Sequence, residues 1–184
     1  MKKYITKSFQ QTQKLGENFA KEILKLPIKK TAVILGLQGN LGGGKTTFLQ
    51  GFARGLGIKE KITSPTYVIL KHFKITKPQI SNSKSQINSK SKNSKFGNFY
   101  HIDYYRLKDE RDLVSLGFKE IIKNPKNIAA IEWPEKIYPV EFAEGDVLQK
   151  AKRFNRGKKS LPKPTFIIKF KFINENEREI EFKM

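Results

Sequence analysis

Cysteine is absent from the 184-residue sequence, and histidine occurs only as His72 and His101. The lack of cysteine excludes disulfide bonds, thiol catalysis and cysteine-ligated metal sites, and two histidines alone cannot build a zinc centre. Any metal ion in this protein is therefore expected to be bound by oxygen ligands.

Long apolar runs are also absent. No stretch of the sequence reaches the roughly 18 to 20 consecutive apolar residues that a membrane-spanning helix needs, and the amino terminus lacks the apolar core of a secretory signal. We therefore expect a cytoplasmic protein that does not interact with a membrane. The length fits one domain of ordinary size, over residues 1–184, with a hydrophobic core of its own.

Acidic residues are scarce. The sequence has 37 Lys and Arg but only 17 Asp and Glu, which gives a formal charge of +20. Two segments without acids hold much of this excess, residues 74–98 with six lysines and residues 149–163 with seven Lys or Arg. The first is rich in Ser, Asn and Lys and poor in apolar residues, which predicts a disordered insertion over residues 77–97. Either segment could contact the phosphates of RNA, or could simply be a solvated charged stretch.

Helix-like and strand-like patterns alternate along the chain. Helices are predicted from Phe9 to Leu26 behind a Ser8 cap, from about 48 to 57, and over 109–122 with a break at Gly117. Strands are predicted over 31–37, 66–73, 99–102 and 127–132, with a hairpin over 166–182. This order predicts an α/β fold of the P-loop NTPase type, in which a largely parallel sheet is flanked by helices and carries a C-terminal antiparallel hairpin at one edge.

The strongest motif lies between the first predicted strand and the second helix. It matches the P-loop pattern G-x-x-x-x-G-K-[ST] at every fixed position, in the order Gly39, Asn40, Leu41, Gly42, Gly43, Gly44, Lys45 and Thr46. Glycines let backbone N–H groups turn towards phosphates, and the start of the next helix adds its positive end. We expect Lys45 to reach the β- and γ-phosphates, Thr46 to ligate Mg²⁺, and Thr47 to belong to the same nucleotide-binding segment.

A P-loop enzyme also needs a carboxylate for the metal and its water, usually at the end of a neighbouring buried strand. Glu132 ends one apolar strand in the manner of a Walker B acid, and Asp103 ends another. Either carboxylate could instead cap the turn that follows its strand. Thr66 lies where P-loop GTPases place a switch that senses the γ-phosphate, although the surrounding Ser-Pro-Thr sequence is also typical of an ordinary turn.

Several segments together resemble one family, the TsaE (YjeE) P-loop ATPases of bacterial tRNA threonylcarbamoyladenosine biosynthesis. They are LQGNLGGGKTTFLQGFARGLG, ITSPTY, FYHIDYYRL, the LGF that follows, and IEWPE, in this order, and they cover about Ser8 to Lys136 apart from the insertion. The resemblance implies Mg²⁺-dependent ATP hydrolysis that supports turnover of a complex of TsaB and TsaD proteins. That complex modifies an adenosine beside the anticodon of tRNA, and the ATPase does not itself transfer the threonylcarbamoyl group.

Carried over by position, the resemblance assigns Lys45 and Thr46 to phosphate and Mg²⁺, Thr66 to a switch-like segment, and Asp103 and Glu132 to the metal and its water. The sequence departs from the family pattern at Asn40, where Asp is usual, and at Gly43, where Ala is usual. The lysine-rich insertion is a third departure, and it could affect docking of the partner complex.

Two other functions remain open from the residues alone. A small-molecule kinase could use the same fold, although no arginine-rich lid is evident. A basic RNA-binding module with a vestigial P-loop is the other, although Lys45, Thr46 and Glu132 are all intact. In the coupled-ATPase interpretation tRNA is reached through the TsaB–TsaD complex, with direct contact by the basic segments possible.

Overall fold

The structure is a computed structural model that describes residues 2–63, 69–76, 94–105, 107, 110–136 and 165–183. The predicted switch at Thr66, residues 77–93 of the insertion predicted over 77–97, and the basic segment over 149–163 lie outside the described residues. Their interpretation remains the one drawn from sequence.

The described residues form seven strands, four α-helices and one 3₁₀ turn. In chain order they are β1 (Lys2–Thr6), α1 (Phe9–Lys25), β2 (Val33–Gln38), α2 (Lys45–Gly55), β3 (Leu70–Lys74), β4 (Asn98–Asp103), α3 (Glu110–Ser115), α4 (Phe118–Lys123), β5 (Asn127–Glu132), the 3₁₀ turn (Pro134–Lys136), β6 (Thr165–Phe172) and β7 (Arg178–Lys183).

All seven strands join one sheet in the order β1-β7-β6-β2-β5-β4-β3. The four central strands β6, β2, β5 and β4 are parallel, whereas β3 is antiparallel to β4. At the other edge β7 runs antiparallel to β6, and β1 runs antiparallel to β7. The predicted α/β fold, its largely parallel sheet and its C-terminal hairpin are confirmed.

The prediction that the hairpin forms an edge of the sheet is wrong, because β1 pairs with β7 and is itself the edge strand. β1 is missing from the sequence prediction because four of its five residues are exposed, so it lacks the alternation of apolar and polar residues that marks a half-buried strand.

Helices cover both faces of the sheet. On one face α1 and α2 pack against alternate residues of the strands, including Leu35, Phe99 and Ile168. On the other face α4 packs against the residues between them, including Ile34 and Ile131. Because a parallel sheet is buried on both faces, its strands consist of nearly continuous apolar runs, as β2 and β5 do.

Local signals mark the ends of α1 and the break at Gly117 as predicted, whereas α2 begins at Lys45 and not near residue 48, because its first turn consists of polar residues and lacks the apolar pattern. The Ser8 side chain accepts a hydrogen bond from the Gln11 backbone N–H at 3.2 Å and caps α1. Gly117, with φ of 64°, separates α3 from α4, and Gly57, with φ of 80°, follows the end of α2. These left-handed positions suit glycine because it has no Cβ atom.

The residues just before β4 pack into the fold. Phe96 is 1% exposed and belongs to the core, and the Gly97 N–H donates to the Lys126 carbonyl at 2.8 Å. The last residues of the predicted insertion, 94–97, thus have defined contacts. Among the described residues no helix is both long enough and apolar enough to cross a bilayer.

Candidate functional site

The P-loop connects the end of β2 to the start of α2. Gly39 has φ of 129°, and a Cβ atom there would lie 2.2 Å from the Phe170 carbonyl oxygen, so this position requires glycine. Gly44 precedes α2 with φ of 97°, and no side chain caps the helix. The first N–H groups of a helix have no partner within it, so the start of α2 can receive an anion.

Lys45 is held by the loop from which it projects. Its Nζ donates to the carbonyls of Gly39 at 2.7 Å and Asn40 at 3.1 Å, and lies 4.3 Å from the centroid of the Trp133 ring. Burial lowers the pKa of Lys45, and the nearby carboxylates, Glu132 first, act in the opposite direction. These carboxylates favour the charged form, the one that can bind phosphate.

Asp103 and Glu132 end neighbouring parallel strands at the same level of the sheet, where they are register partners. Glu132 is buried, and its Oε1 lies 2.8 Å from His101 Nε2, the separation of a hydrogen bond donated to the carboxylate. Asp103 Oδ1 accepts from the Tyr105 N–H at 2.8 Å. Burial raises the pKa of Asp103, and the hydrogen bond from Tyr105 opposes that rise.

A cavity of about 400 Å³ brings the loop and both acids together. From the predicted site it is lined by Leu41, Gly42, Gly43, Gly44, Lys45, Thr46, Thr47, Asp103 and Glu132. Gly39 and Asn40 contribute to the site through their backbone carbonyls, which accept hydrogen bonds from Lys45. Thr66 lies outside the described residues.

The far wall of the cavity is not evident from sequence. It is formed by the start of α1 with Ser8, Phe9 and Thr12, by Glu175 and Asn176 in the turn between β6 and β7, and by Arg178 at the start of β7. Arg178 Nε donates to the Gly42 carbonyl at 3.1 Å, so the start of β7 is joined directly to the P-loop. Tyr105 and Trp133 complete the lining.

Two polar residues beside the predicted acids, His101 and Glu135, received no role from the sequence. His101 and Asp103 occupy the same face of β4, and this period-two spacing is a signal that could have linked His101 to the acids. Glu135 is 6% exposed and accepts a long hydrogen bond of 3.5 Å from Gln38 Nε2. Burial raises the pKa of Glu135, while its own backbone N–H, Gln38 and Lys45 oppose the rise.

The chain is similar to the proteins of one known family. The family model described as "Threonylcarbamoyl adenosine biosynthesis protein TsaE" matches residues 6–159. A protein of Haemophilus influenzae named "tRNA threonylcarbamoyladenosine biosynthesis protein TsaE" is 32% identical over 145 residues, covering 79% of this chain and 77% of that protein. A protein of Bacillus subtilis with the same name is 30% identical over 153 residues, covering 83% of this chain and 70% of that protein.

A solved structure is also similar in fold. The crystal structure of Bacillus subtilis YdiB superposes with a TM-score of 0.50 at 22% sequence identity, covering 98% of this chain and 83% of that chain. At this identity the likeness concerns the arrangement of helices and strands alone.

Proposed function

Because this chain belongs to the TsaE family of tRNA threonylcarbamoyladenosine biosynthesis proteins, we propose that it is the ATPase subunit of that machinery. It hydrolyses ATP with Mg²⁺ to support turnover of the TsaB–TsaD complex, and it does not transfer the threonylcarbamoyl group itself. The observation that carries this proposal is a single cavity of about 400 Å³ lined by an intact P-loop and by two strand-end carboxylates.

In this proposal the phosphates of ATP bind to the segment from Gly39 to Thr47. The backbone N–H groups at the start of α2 face them, and Lys45 supplies a positive charge. Its Nζ is held by the carbonyls of Gly39 and Asn40. The ammonium group has three N–H donors, so one of them remains for a phosphate oxygen while both carbonyls stay bound.

The donor set at the site fits Mg²⁺. Thr46, Asp103 and Glu132 offer hydroxyl and carboxylate oxygens, the ligands that this hard cation prefers. Among the described residues no group of three or more His, Cys, Asp or Glu side chains could hold a metal ion by itself. This agrees with Mg²⁺, which is usually bound by one or two carboxylates together with substrate phosphates and water. Bound there, the ion would neutralise negative charge on the phosphates.

Glu132 and Asp103 have further roles in this proposal. A carboxylate held beside the γ-phosphate orients the attacking water and accepts its proton. His101 holds one oxygen of Glu132, so the second oxygen is available to the water or the metal. Thr66, in the segment between α2 and β3, is proposed as the switch that senses the γ-phosphate.

The test is ATP hydrolysis by the purified chain, measured alone and then with its cognate TsaB–TsaD pair and tRNA. Lys45→Ala and Glu132→Ala should each lower the stimulated rate on the order of a hundredfold or more. Glu132→Ala should still bind nucleotide, whereas Lys45→Ala should bind it much more weakly. Glu179→Ala is the matched control, because that carboxylate pairs with Lys3 on the strand surface.

Two outcomes would contradict the proposal. If TsaB–TsaD still stimulates ATP hydrolysis by Glu132→Ala, the proposed role of this carboxylate in hydrolysis is contradicted. Transfer of phosphate to a small acceptor, with no response to TsaB–TsaD, would favour the kinase interpretation.

A further inference from the structure

The two ends of the sheet differ in their charged side chains. The strands β2, β5 and β4 begin at the end remote from the cavity, and β3, α1, α2 and α4 finish there. The exposed lysines that gather at this remote end are named here the lysine end, and they are Lys25, Lys29, Lys30, Lys74, Lys95, Lys123 and Lys126.

Backbone and side-chain contacts bring these lysines onto one face. Lys95 Nζ donates to the Lys25 carbonyl at 3.3 Å, which joins the segment before β4 to the last turn of α1. The Ala32 N–H donates to the Ile122 carbonyl at 2.8 Å, which sets the Lys29–Lys30 segment beside the end of α4. Lys126 is joined to the same face because its carbonyl accepts from the Gly97 N–H.

Acidic residues collect at the opposite end. Those at or next to the cavity are Asp103, Glu132, Glu135, Glu175 and Glu177. Among the described residues, Glu22, Glu60 and Glu120 are acids close in sequence to the lysine end, and Glu22 pairs with Lys25 at 2.6 Å. The described part of the chain is thus strongly basic at one end, whereas at the nucleotide end carboxylates lie together with the basic side chains Lys45, Lys136 and Arg178.

We infer that the lysine end binds the phosphate backbone of a structured RNA directly. A compact face of exposed lysines, of which Lys25 is paired with Glu22, attracts a polyanion and gains affinity when counterions are released. Each lysine offers a point charge without fixed donor geometry, so the face should recognise backbone shape and charge with little dependence on base sequence.

Other anionic partners fit the face less well. A strand of six residues spans about 20 Å, so these lysines are too far from the cavity to serve the phosphates bound there. A membrane surface would also require apolar side chains to insert, and Ile28 is the one exposed large apolar residue beside the lysine end among the described residues. RNA needs no such anchors.

The test measures RNA binding by the full chain in the absence of nucleotide, so it is separate from any test of ATP hydrolysis. The probe is an unmodified, fluorescently labelled tRNA transcript titrated at several salt concentrations between about 50 and 300 mM. The test variant carries Lys29→Gln, Lys30→Gln, Lys123→Gln and Lys126→Gln.

The control variant has the same charge change but leaves the lysine end intact. It carries Lys3→Gln, Lys14→Gln, Lys21→Gln and Lys171→Gln, which are exposed positions facing Glu17 or Glu179. Both variants are first compared with the parent chain by circular dichroism and thermal unfolding, so that a folding defect is recognised.

We expect the test variant to lose at least about tenfold in affinity for tRNA at about 100 mM salt. The slope of the logarithm of its affinity against the logarithm of the salt concentration should decrease in magnitude by up to about three. The control should lose less than about threefold. Equal losses in the two variants, or no loss in either, would overturn the inference. Binding to vesicles of phosphatidylcholine with phosphatidylserine that the test variant loses, without a matching loss on tRNA, would overturn it in favour of a membrane surface.

Discussion

At the scale of single residues, Glu135 is a carboxylate that the fold buries close to Lys45. Burial raises its pKa, so the folded state favours the protonated form more than the unfolded chain does. For a raised pKa, the stability that the group contributes is present below the unfolded value and is lost as pH rises through the folded value. Ionised Glu135 therefore reduces the stability of the nucleotide-free protein at neutral pH.

We predict that Glu135→Gln raises the free energy of unfolding at pH 7 by roughly 1 kcal/mol. The gain should vanish as pH falls below the ordinary carboxyl value of 4.5, where the wild-type side chain is protonated in both states. Urea unfolding at pH 7 and near pH 4 measures both quantities. Glu22→Gln is the control, because that carboxylate is exposed and pairs with Lys25; a loss of stability in Glu135→Gln at pH 7 would contradict the argument.

His101 is the second residue whose environment makes a specific prediction. Its side chain is fully buried, and its Nε2 contacts Glu132. If hydrolysis depends on the orientation of Glu132, His101→Leu should lower the rate about 10- to 100-fold, because the carboxylate loses the donor that fixes it. His101→Gln should remain within a few-fold of wild type, since the amide can present an N–H group at a similar position.

A double-mutant cycle separates this positioning role from general damage to the core. In a Glu132→Gln background, His101→Leu should cause little further loss of hydrolysis, because the group that it orients is already changed. Additive losses in the cycle, or no rescue by His101→Gln, would assign His101 to packing alone.

At the scale of elements, α1 and α2 pack so closely that glycine is required between them. A Cβ atom at Gly51 of α2 would lie 1.8 Å from the Gln13 carbonyl oxygen of α1, far inside any normal contact. In an exposed helix, replacing glycine by alanine is favourable by about 1 kcal/mol. Here the steric clash outweighs that preference, because the two backbones must separate.

We therefore predict that Gly51→Ala destabilises the protein by about 1 to 3 kcal/mol, the range observed for overpacked cores. The movement of α2 should also weaken nucleotide binding, since α2 begins at the P-loop. Gly97→Ala is a matched control, because a Cβ atom there meets nothing within 4 Å. Thermal unfolding and titration with a fluorescent ATP analogue report the two effects, and wild-type stability in Gly51→Ala would refute the packing argument.

The elements also show what local sequence can and cannot predict. Helix α1 and the break at Gly117 were predictable because a cap and a glycine act on their own neighbours. Strand β1 was not, because its stability comes from its pairing with β7, more than 170 residues later in the chain. Long-range pairing leaves little trace in the local pattern of an exposed edge strand.

The same distinction applies to the candidate site. The P-loop and the strand-end acids were predictable because each is a local pattern, a glycine loop before a helix or a carboxylate after an apolar run. The contact of His101 with Glu132 depends on the register between β4 and β5, which neither strand specifies alone. Arg178 reaches Gly42 only because β7 packs beside the loop.

At the scale of the whole molecule, the clustering of lysines at one end of the sheet has a consequence for folding that does not depend on any partner. Like charges on one face repel one another in the folded state and move apart when the chain unfolds, so the lysine end should lower stability at low salt. The control lysines differ, because Lys3, Lys14 and Lys21 form ion pairs with Glu179 or Glu17. Neutralising them removes attraction instead of repulsion.

The two four-lysine variants should therefore shift stability in opposite directions. At about 10 mM salt, where the Debye length is about 30 Å, Lys29→Gln, Lys30→Gln, Lys123→Gln and Lys126→Gln together should raise the free energy of unfolding by roughly 1 to 2 kcal/mol. The control should be unchanged or slightly less stable, since surface ion pairs contribute about 0 to 1 kcal/mol each. At about 1 M salt the Debye length is near 3 Å, and both differences should disappear. Urea unfolding across this range measures them, and a lysine-end variant no more stable than wild type at low salt would mean that these lysines are too far apart to act as one charged face.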